Sequence, residues 1–97
     1  GRKGLLMAYV YIVRCCDNTL YTGYAEDIDK RIAQHNAGKA SKYTRTRLPV
    51  ELVYYEEVAD KSSALRRELQ IKQMSKSHKE SLISTFHSMN NELNSST

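Results

Sequence analysis

Apolar and polar positions alternate near the start of the chain. Residues 9–14 and 20–24 are rich in β-branched and aromatic side chains, and a turn-forming Asp-Asn-Thr triplet at 17–19 separates them. This pattern predicts a β-hairpin. Because side chains alternate along a strand, Val10 and Ile12 are expected on one face of the sheet, opposite the odd-numbered residues of the same strand.

Helical spacing follows the hairpin. Asp27 is a suitable N-cap, Ile28 and Ile32 fall one turn apart, and Gly38 is placed to end a helix, so the pattern predicts a helix over 28–37. Residues 39–49 have no apolar period and predict a connecting loop.

The second half of the chain predicts one strand and two helices. Residues 50–58 have the composition of a third strand. Asp60 caps a predicted helix over 61–74, whose apolar positions are Ala64, Leu65, Leu69 and Ile71. A last helix is predicted over 75–87, with Ser77 and Glu80 as a candidate capping box.

The predicted order ββαβαα indicates an α+β fold, with a three-stranded antiparallel sheet packed against helices. Residues 8–87 are expected to form this domain. Residues 1–7 are expected to be a leader or flexible N-terminus, and residues 88–97, which are rich in Asn and Ser, a disordered tail.

Composition narrows the class of protein. Hydrophobic residues make up 40% and charged residues 27% of the chain, as in soluble globular proteins, and no apolar run is long enough to span a bilayer. The adjacent Cys15 and Cys16 cannot form an ordinary disulfide with each other and indicate a reducing compartment. We therefore expect a cytoplasmic protein without a membrane partner.

The positive charge is concentrated. The formal net charge is +4, and residues 31–47 contain five basic side chains and no acid: Arg31, Lys39, Lys42, Arg45 and Arg47. Such a segment suits phosphate groups, and a solvated basic loop explains it equally well.

Three further features are candidates for chemistry. Glu68 lies near the apolar stripe of its predicted helix, where a carboxylate needs a cation; from the residues alone, an ion pair with Arg31 or Lys72 is favoured over a metal. Arg31 and His35 share one helix face, which suits phosphate binding but also ordinary solvent exposure. The hairpin tyrosines suit cross-strand packing or, if cations lower a phenol pKa, general base chemistry.

Together these features resemble the GIY-YIG nuclease superfamily. Tyr9-Val10-Tyr11 and Tyr21-Thr22-Gly23 resemble its two hairpin motifs, although Tyr9 and Thr22 depart from the pattern. The chain is most similar to small stand-alone bacterial members, whose sequences resemble the segments at 35–38, 42–44 and 64–68 together with Lys72. The resemblance covers residues 8–83.

The resemblance implies a site. Tyr11 would be the general base or position the attacking water, Tyr21 would orient water or phosphate, and Arg31 would stabilise the pentacovalent phosphate. Glu68 would bind one divalent metal, Mg²⁺ or Mn²⁺. His35 would bind phosphate or order the site, and Gly23 would let the backbone pass close to a helix or the substrate. The residues implied to follow the nucleic-acid backbone are Lys42, Tyr43, Arg45 and Arg47.

The resulting hypothesis is a metal-dependent endonuclease that hydrolyses DNA phosphodiester bonds in DNA repair or processing. Since no recognition module is visible in the sequence, we expect it to select single-stranded or branched DNA in preference to plain duplex, with a protein partner for targeting. The alternatives are a nucleic-acid-binding module that does not cleave and a nuclease subunit that needs a partner.

Overall fold

The computed structural model describes residues 7–95, and the side chains of residues 7–90. It confirms the predicted α+β class and adds one short helix to the predicted order. The elements are β1 (Ala8–Cys15), β2 (Leu20–Ala25), α1 (Ile28–Asn36), α2 (Lys42–Arg45), β3 (Val50–Val58), α3 (Lys61–Lys72) and α4 (Lys76–Ser95).

The sheet is antiparallel, with strand order β2-β1-β3. The central strand β1 is paired along both edges, and helices bury both of its faces, so the predicted alternation is confirmed. Val10 and Ile12 belong to one core cluster, and Tyr11 and Val13 to the cluster on the opposite face. The strand β2 lies at an edge, between the two helical layers.

Different helices cover the two faces. Ala64 and Ile71 of α3 and Ile83 of α4 pack with Val10 and Ile12. On the other face, Ile28 and Ile32 of α1 pack against Tyr11 and Val13. Side chains from both layers can therefore meet at the β2 edge.

The apolar stripe of α3 is narrower than the sequence predicts. Ala64 and Ile71 are fully buried, but Leu65 is 44% and Leu69 58% exposed. Ala64 and Ile71 are seven residues apart, two helical turns, so they share one face, whereas Leu65 and Leu69 lie on a neighbouring face that no described element covers.

The segment predicted as a loop contains the one-turn helix α2. The hydroxyl of Ser41 accepts hydrogen bonds from the backbone N–H groups of Tyr43 and Thr44 and so caps this helix. Asn36 fixes the end of the segment, because its side chain exchanges hydrogen bonds of 2.7 and 3.1 Å with the backbone of Val50. A single turn held by its cap leaves no apolar period in the sequence.

The last helix differs from its prediction at both ends. Ser75, not Ser77, caps it by accepting from the N–H of His78, because Glu80 pairs instead with Arg14. It continues to Ser95, through most of the segment predicted as a disordered tail; residues 96 and 97, like residues 1–6 of the predicted leader, lie outside the described residues. No helix within 7–95 has the length and apolarity to cross a membrane.

Candidate active site

The candidate residues meet at the β2 edge of the sheet. Tyr11 comes from the central strand, Arg31 and His35 from α1 on one face, and Glu68 from α3 on the other. The charge of Arg31 lowers the pKa of the Tyr11 hydroxyl and the charge of Glu68 raises it, because both groups lie on the Tyr11 side of the site. Tyr11 and His35 are buried there, whereas Arg31 lines a cavity at the surface.

Gly23 lets Tyr11 reach the edge. It pairs with Tyr11 across the hairpin, and the tyrosine ring crosses its Cα. A Cβ at Gly23 would lie 2.7 Å from the hydroxyl oxygen and 2.9 Å from Cζ of Tyr11. The close contact in the structure is with Tyr11, and the predicted approach of the Gly23 backbone to substrate stays a prediction.

His35 connects Tyr11 to α2. It is 1% exposed, and its Nε2 lies 2.8 Å from the Tyr11 hydroxyl while its Nδ1 lies 2.8 Å from Oγ1 of Thr44. The Thr44 hydroxyl donates to the carbonyl of Ser41 at 3.4 Å, so we assign its oxygen as acceptor from Nδ1–H. Nε2 then accepts a hydrogen bond from the Tyr11 hydroxyl.

Both members of the Tyr11–His35 pair are neutral at rest. Burial raises the pKa of Tyr11 to about 12, with Arg31 acting in the opposite direction. Burial, helped by the charge of Arg31, lowers the pKa of His35. Forming a free tyrosinate at pH 7 would cost roughly 7 kcal/mol at 1.36 kcal/mol per pKa unit, so Tyr11 can act as a base only by taking a proton from water as it gives its own to His35, the acceptor in contact with it.

Arg31 is held by one hydrogen bond to the backbone and has further N–H groups that could bind a ligand. One guanidinium nitrogen donates to the carbonyl of Tyr24 at 3.3 Å. The side chain also lines a cavity of about 300 Å³ between α1 and the start of α3, whose lining includes the cations Lys30 and Lys61 and the acids Glu26 and Asp27. Its remaining N–H groups are available to bind an anion there.

Glu68 forms an ion pair with Lys72, one of the two partners predicted for it. Its side chain is 15% exposed and pairs with Lys72, one turn along α3, at 3.2 Å, and not with Arg31. Within the described part of the chain, no three His, Cys, Asp or Glu side chains are grouped to hold a metal. One carboxylate still fits Mg²⁺, which keeps most of its waters, because the partner Lys72 is 49% exposed and free to turn away.

Tyr21 completes the aromatic side of the site. It pairs with Val13 across the hairpin, which puts it diagonal to Tyr11 on the same face. Its ring lies edge-on to His35 with centroids 5.4 Å apart and stacks on Tyr43 at 5.9 Å. Tyr11 and Tyr21 therefore both contact the His35 ring.

The side chains of the basic segment differ in whether they have partners within the chain. Lys42 and Arg45 are exposed on α2. Arg47 has partners within the chain, because it pairs with Asp17 at 3.2 Å and its guanidinium lies 3.9 Å from the centre of the Tyr43 ring. Thr44, for which the sequence analysis predicts no role, is the buried residue of α2 and the one that contacts His35.

Comparison with known proteins agrees with this geometry. The pattern of the GIY-YIG catalytic domain matches residues 7–81. A UPF0213 protein of Staphylococcus haemolyticus is 57% identical over 75 residues, which cover 77% of this chain and 92% of that protein. A UPF0213 protein of Halobacterium salinarum is 51% identical over 76 residues, covering 78% and 99% of the two chains.

Two solution NMR structures have a similar fold. One, a UPF0213 protein from Bacillus halodurans, is 44% identical with a TM-score of 0.53 over 81% of this chain and 84% of that one. The other, from E. faecalis, is 32% identical with a TM-score of 0.57, over 84% and 86%. The chain therefore belongs to the GIY-YIG family, and its similarity is to the small UPF0213 proteins within that nuclease superfamily.

Proposed function

We propose that the protein is a metal-dependent endonuclease that hydrolyses DNA phosphodiester bonds at the β2 edge, in DNA repair or processing in the cytoplasm. The observation that carries the proposal is the 2.8 Å hydrogen bond between Tyr11 and His35, with Arg31 and Glu68 near enough for their charges to affect the pKa of Tyr11. These groups supply a proton acceptor, a cation for the phosphate and a metal ligand.

The roles follow from the contacts. Tyr11 accepts a proton from the attacking water as it passes its own proton to Nε2 of His35, and the water oxygen bonds to phosphorus as the bond to the leaving oxygen breaks. Arg31 binds the phosphate oxygens and stabilises their growing negative charge. Tyr21 orients the phosphate or the water. Glu68 would hold Mg²⁺ or Mn²⁺, which, when bound, neutralises charge on the phosphate and leaving oxygen.

The charges around the site favour selection by DNA structure. Arg31 and Lys30 in the cavity, and Lys42 and Arg45 on α2, are cations suited to phosphates. Contacts to phosphate fix a strand in place but carry no sequence information. This supports single-stranded or branched DNA as substrate, with a protein partner supplying further targeting.

The test is cleavage of a labelled panel of single-stranded, flapped, forked, nicked and duplex DNAs, with matched RNAs, in Mg²⁺, Mn²⁺ or EDTA. We expect metal-dependent cutting that Glu68→Gln and Arg31→Ala each reduce at least a hundredfold. Glu51→Gln, an exposed carboxylate on β3, and Arg66→Ala, an exposed arginine on α3, are matched controls expected to cut normally.

The competing function is a binding module that does not cleave. The ion pair between Glu68 and Lys72 favours it, because that pair satisfies the carboxylate without a metal. It predicts no cutting of any substrate, together with salt-dependent DNA binding that survives Glu68→Gln. That result would replace the nuclease proposal.

A further inference from the structure

A second cavity lies beyond Tyr43, on the side of α4. It has a volume of about 220 Å³ and is lined by Thr19 and Leu20 at the start of β2, Tyr43 of α2, and Lys76 and Lys79 of α4. We refer to it as the α4 cavity. Its lining contains two cations, one aromatic ring and no carboxylate.

The acids nearest to the α4 cavity are already paired. Glu80 forms two hydrogen bonds of 2.8 Å with Arg14, and Asp17 in the hairpin turn pairs with Arg47 at 3.2 Å. Among residues 7–90, neither lysine of the cavity forms an ion pair. Lys76 acts on Glu80 only at a distance, through its charge, so both lysines keep their ammonium groups free of a direct carboxylate contact.

Lys76 is held in place without losing its charge. Its Nζ donates to the backbone carbonyl of Asn18 at 2.9 Å. An ammonium group has three donors, so two remain for a ligand. Lys79, one turn further along α4, is half-buried and lines the same cavity.

An aromatic path joins the α4 cavity to the candidate active site. Tyr43 is 38% exposed, and its ring stacks on Tyr21, which in turn contacts His35 beside Tyr11. Two aromatic rings thus separate the cavity from the catalytic histidine. Along this path the ring centres of His35 and Tyr21 are 5.4 Å apart and those of Tyr21 and Tyr43 are 5.9 Å apart.

We propose that the α4 cavity binds a nucleotide of single-stranded nucleic acid that flanks the cleavage point. Lys76 and Lys79 bind its phosphates, and the exposed edge of Tyr43, with Leu20, contacts its base or sugar. A positively charged groove that follows the backbone binds single strands without sequence preference, and because Tyr21 and Arg47 already pack on the Tyr43 ring, a nucleotide would meet its edge. The inference rests on the proposed function, because it takes nucleic acid as the substrate.

The test measures binding without cleavage. The affinity of a labelled ten-residue oligothymidine is measured by fluorescence anisotropy in EDTA, over a range of salt concentrations. We expect Lys79→Gln to weaken binding about three- to tenfold at low salt and to lower the slope of log affinity against log salt by about 0.7. Lys79→Arg should bind like the unmodified protein, and so should Arg66→Gln, a matched loss of one charge from α3.

An NMR titration of the ¹⁵N-labelled protein with the same oligonucleotide locates the site. Amide shifts at Thr19, Leu20 and Lys79 are expected. The proposal is overturned if Lys79→Gln binds as tightly as Arg66→Gln, or if polyglutamate gives the same shifts at equal affinity, since the cavity would then be a general anion site.

Failure of this inference is distinguishable from failure of the nuclease proposal. Binding through the α4 cavity with no cutting under any condition would leave the cavity assigned and remove the nuclease. Cutting that depends on Glu68, with Lys79→Gln unchanged in both KM and oligonucleotide affinity, would keep the nuclease and remove the cavity as a nucleotide site.

Discussion

Oγ1 of Thr44 lies 2.8 Å from Nδ1 of His35, and both side chains are buried. The bond joins α2 to α1, and it decides which nitrogen of the histidine faces Tyr11 as an acceptor. Through His35, the bond connects α2, which exposes Lys42 and Arg45, to the Tyr11 hydroxyl, which is proposed to take part in catalysis.

Removing this hydroxyl should impair both stability and activity. Thr44→Val leaves Nδ1 of His35 without a partner, which should lower the free energy of unfolding by about 1–3 kcal/mol, measured by urea denaturation. It should also lower kcat about tenfold with little change in KM, since the tautomer of His35 is no longer fixed. Thr44→Ser keeps the hydroxyl and should retain most activity. If Thr44→Val lowered the free energy of unfolding but left kcat unchanged, the hydrogen bond between Thr44 and His35 would have only a structural role.

Gly23 should not tolerate even one methyl group. In Gly23→Ala the new Cβ would lie 2.7 Å from the Tyr11 hydroxyl, and Tyr11 cannot retreat because it is 1% exposed and bonded to His35. We expect a loss of about 1–3 kcal/mol in the free energy of unfolding and at least a tenfold loss in kcat.

Gly38→Ala is the matched control for that substitution. Gly38 has φ of +78°, so alanine is strained there and should cost about 1 kcal/mol, but its Cβ meets only Cγ of Arg45, at 3.6 Å. Its kcat should therefore be unchanged. If both variants lost stability and kcat in proportion, the effect of Gly23→Ala would be ascribed to unfolding and not to Tyr11.

The fold was largely predictable, but the packing around His35 was not. Strands and long helices have apolar periods, so β1, β3 and α3 were predicted to within two residues. Thr44 sits in a one-turn helix without such a period, and its contact with His35 depends on tertiary structure. Gly23 was singled out correctly, but its partner, Tyr11, follows from strand register, which the hairpin pattern alone does not fix.

As the pH falls, His35 should become protonated before the carboxylates do. Because burial and Arg31 lower its pKa below the ordinary 6.5, the unfolded chain binds a proton below pH 6.5 that the folded protein excludes. The stability from this site is complete above pH 6.5 and is lost as pH falls towards the lowered pKa. The kcat should fall over the same range, since protonated Nε2 cannot accept from Tyr11.

The ring shifts of His35, followed by NMR from pH 8 to 5, give its pKa directly. The lower limit stays above the ordinary carboxyl pKa values of about 4, so that carboxylates contribute little. Urea unfolding at the two ends of the range should differ less in His35→Gln than in the unmodified protein. A His35 midpoint at or above 6.5 would contradict the neutral pair.

The ion pair on α3 gives the sharpest test of a metal at Glu68. Lys72 lies 3.2 Å from the Glu68 carboxylate and would compete with a cation for it. In Lys72→Met that competitor is lost while the aliphatic stem is kept, so the apparent affinity for Mg²⁺ should rise a few-fold. A titration with Mn²⁺, the other metal proposed for this site, measures the affinity without any substrate, through paramagnetic broadening of the amide signals near residue 68. Glu68→Gln should abolish the broadening, and Arg66→Met, on the same helix, should leave it unchanged. If Lys72→Met and the unmodified protein showed equal, weak broadening, Glu68 would be a structural ion-pair partner and the metal site would be wrong.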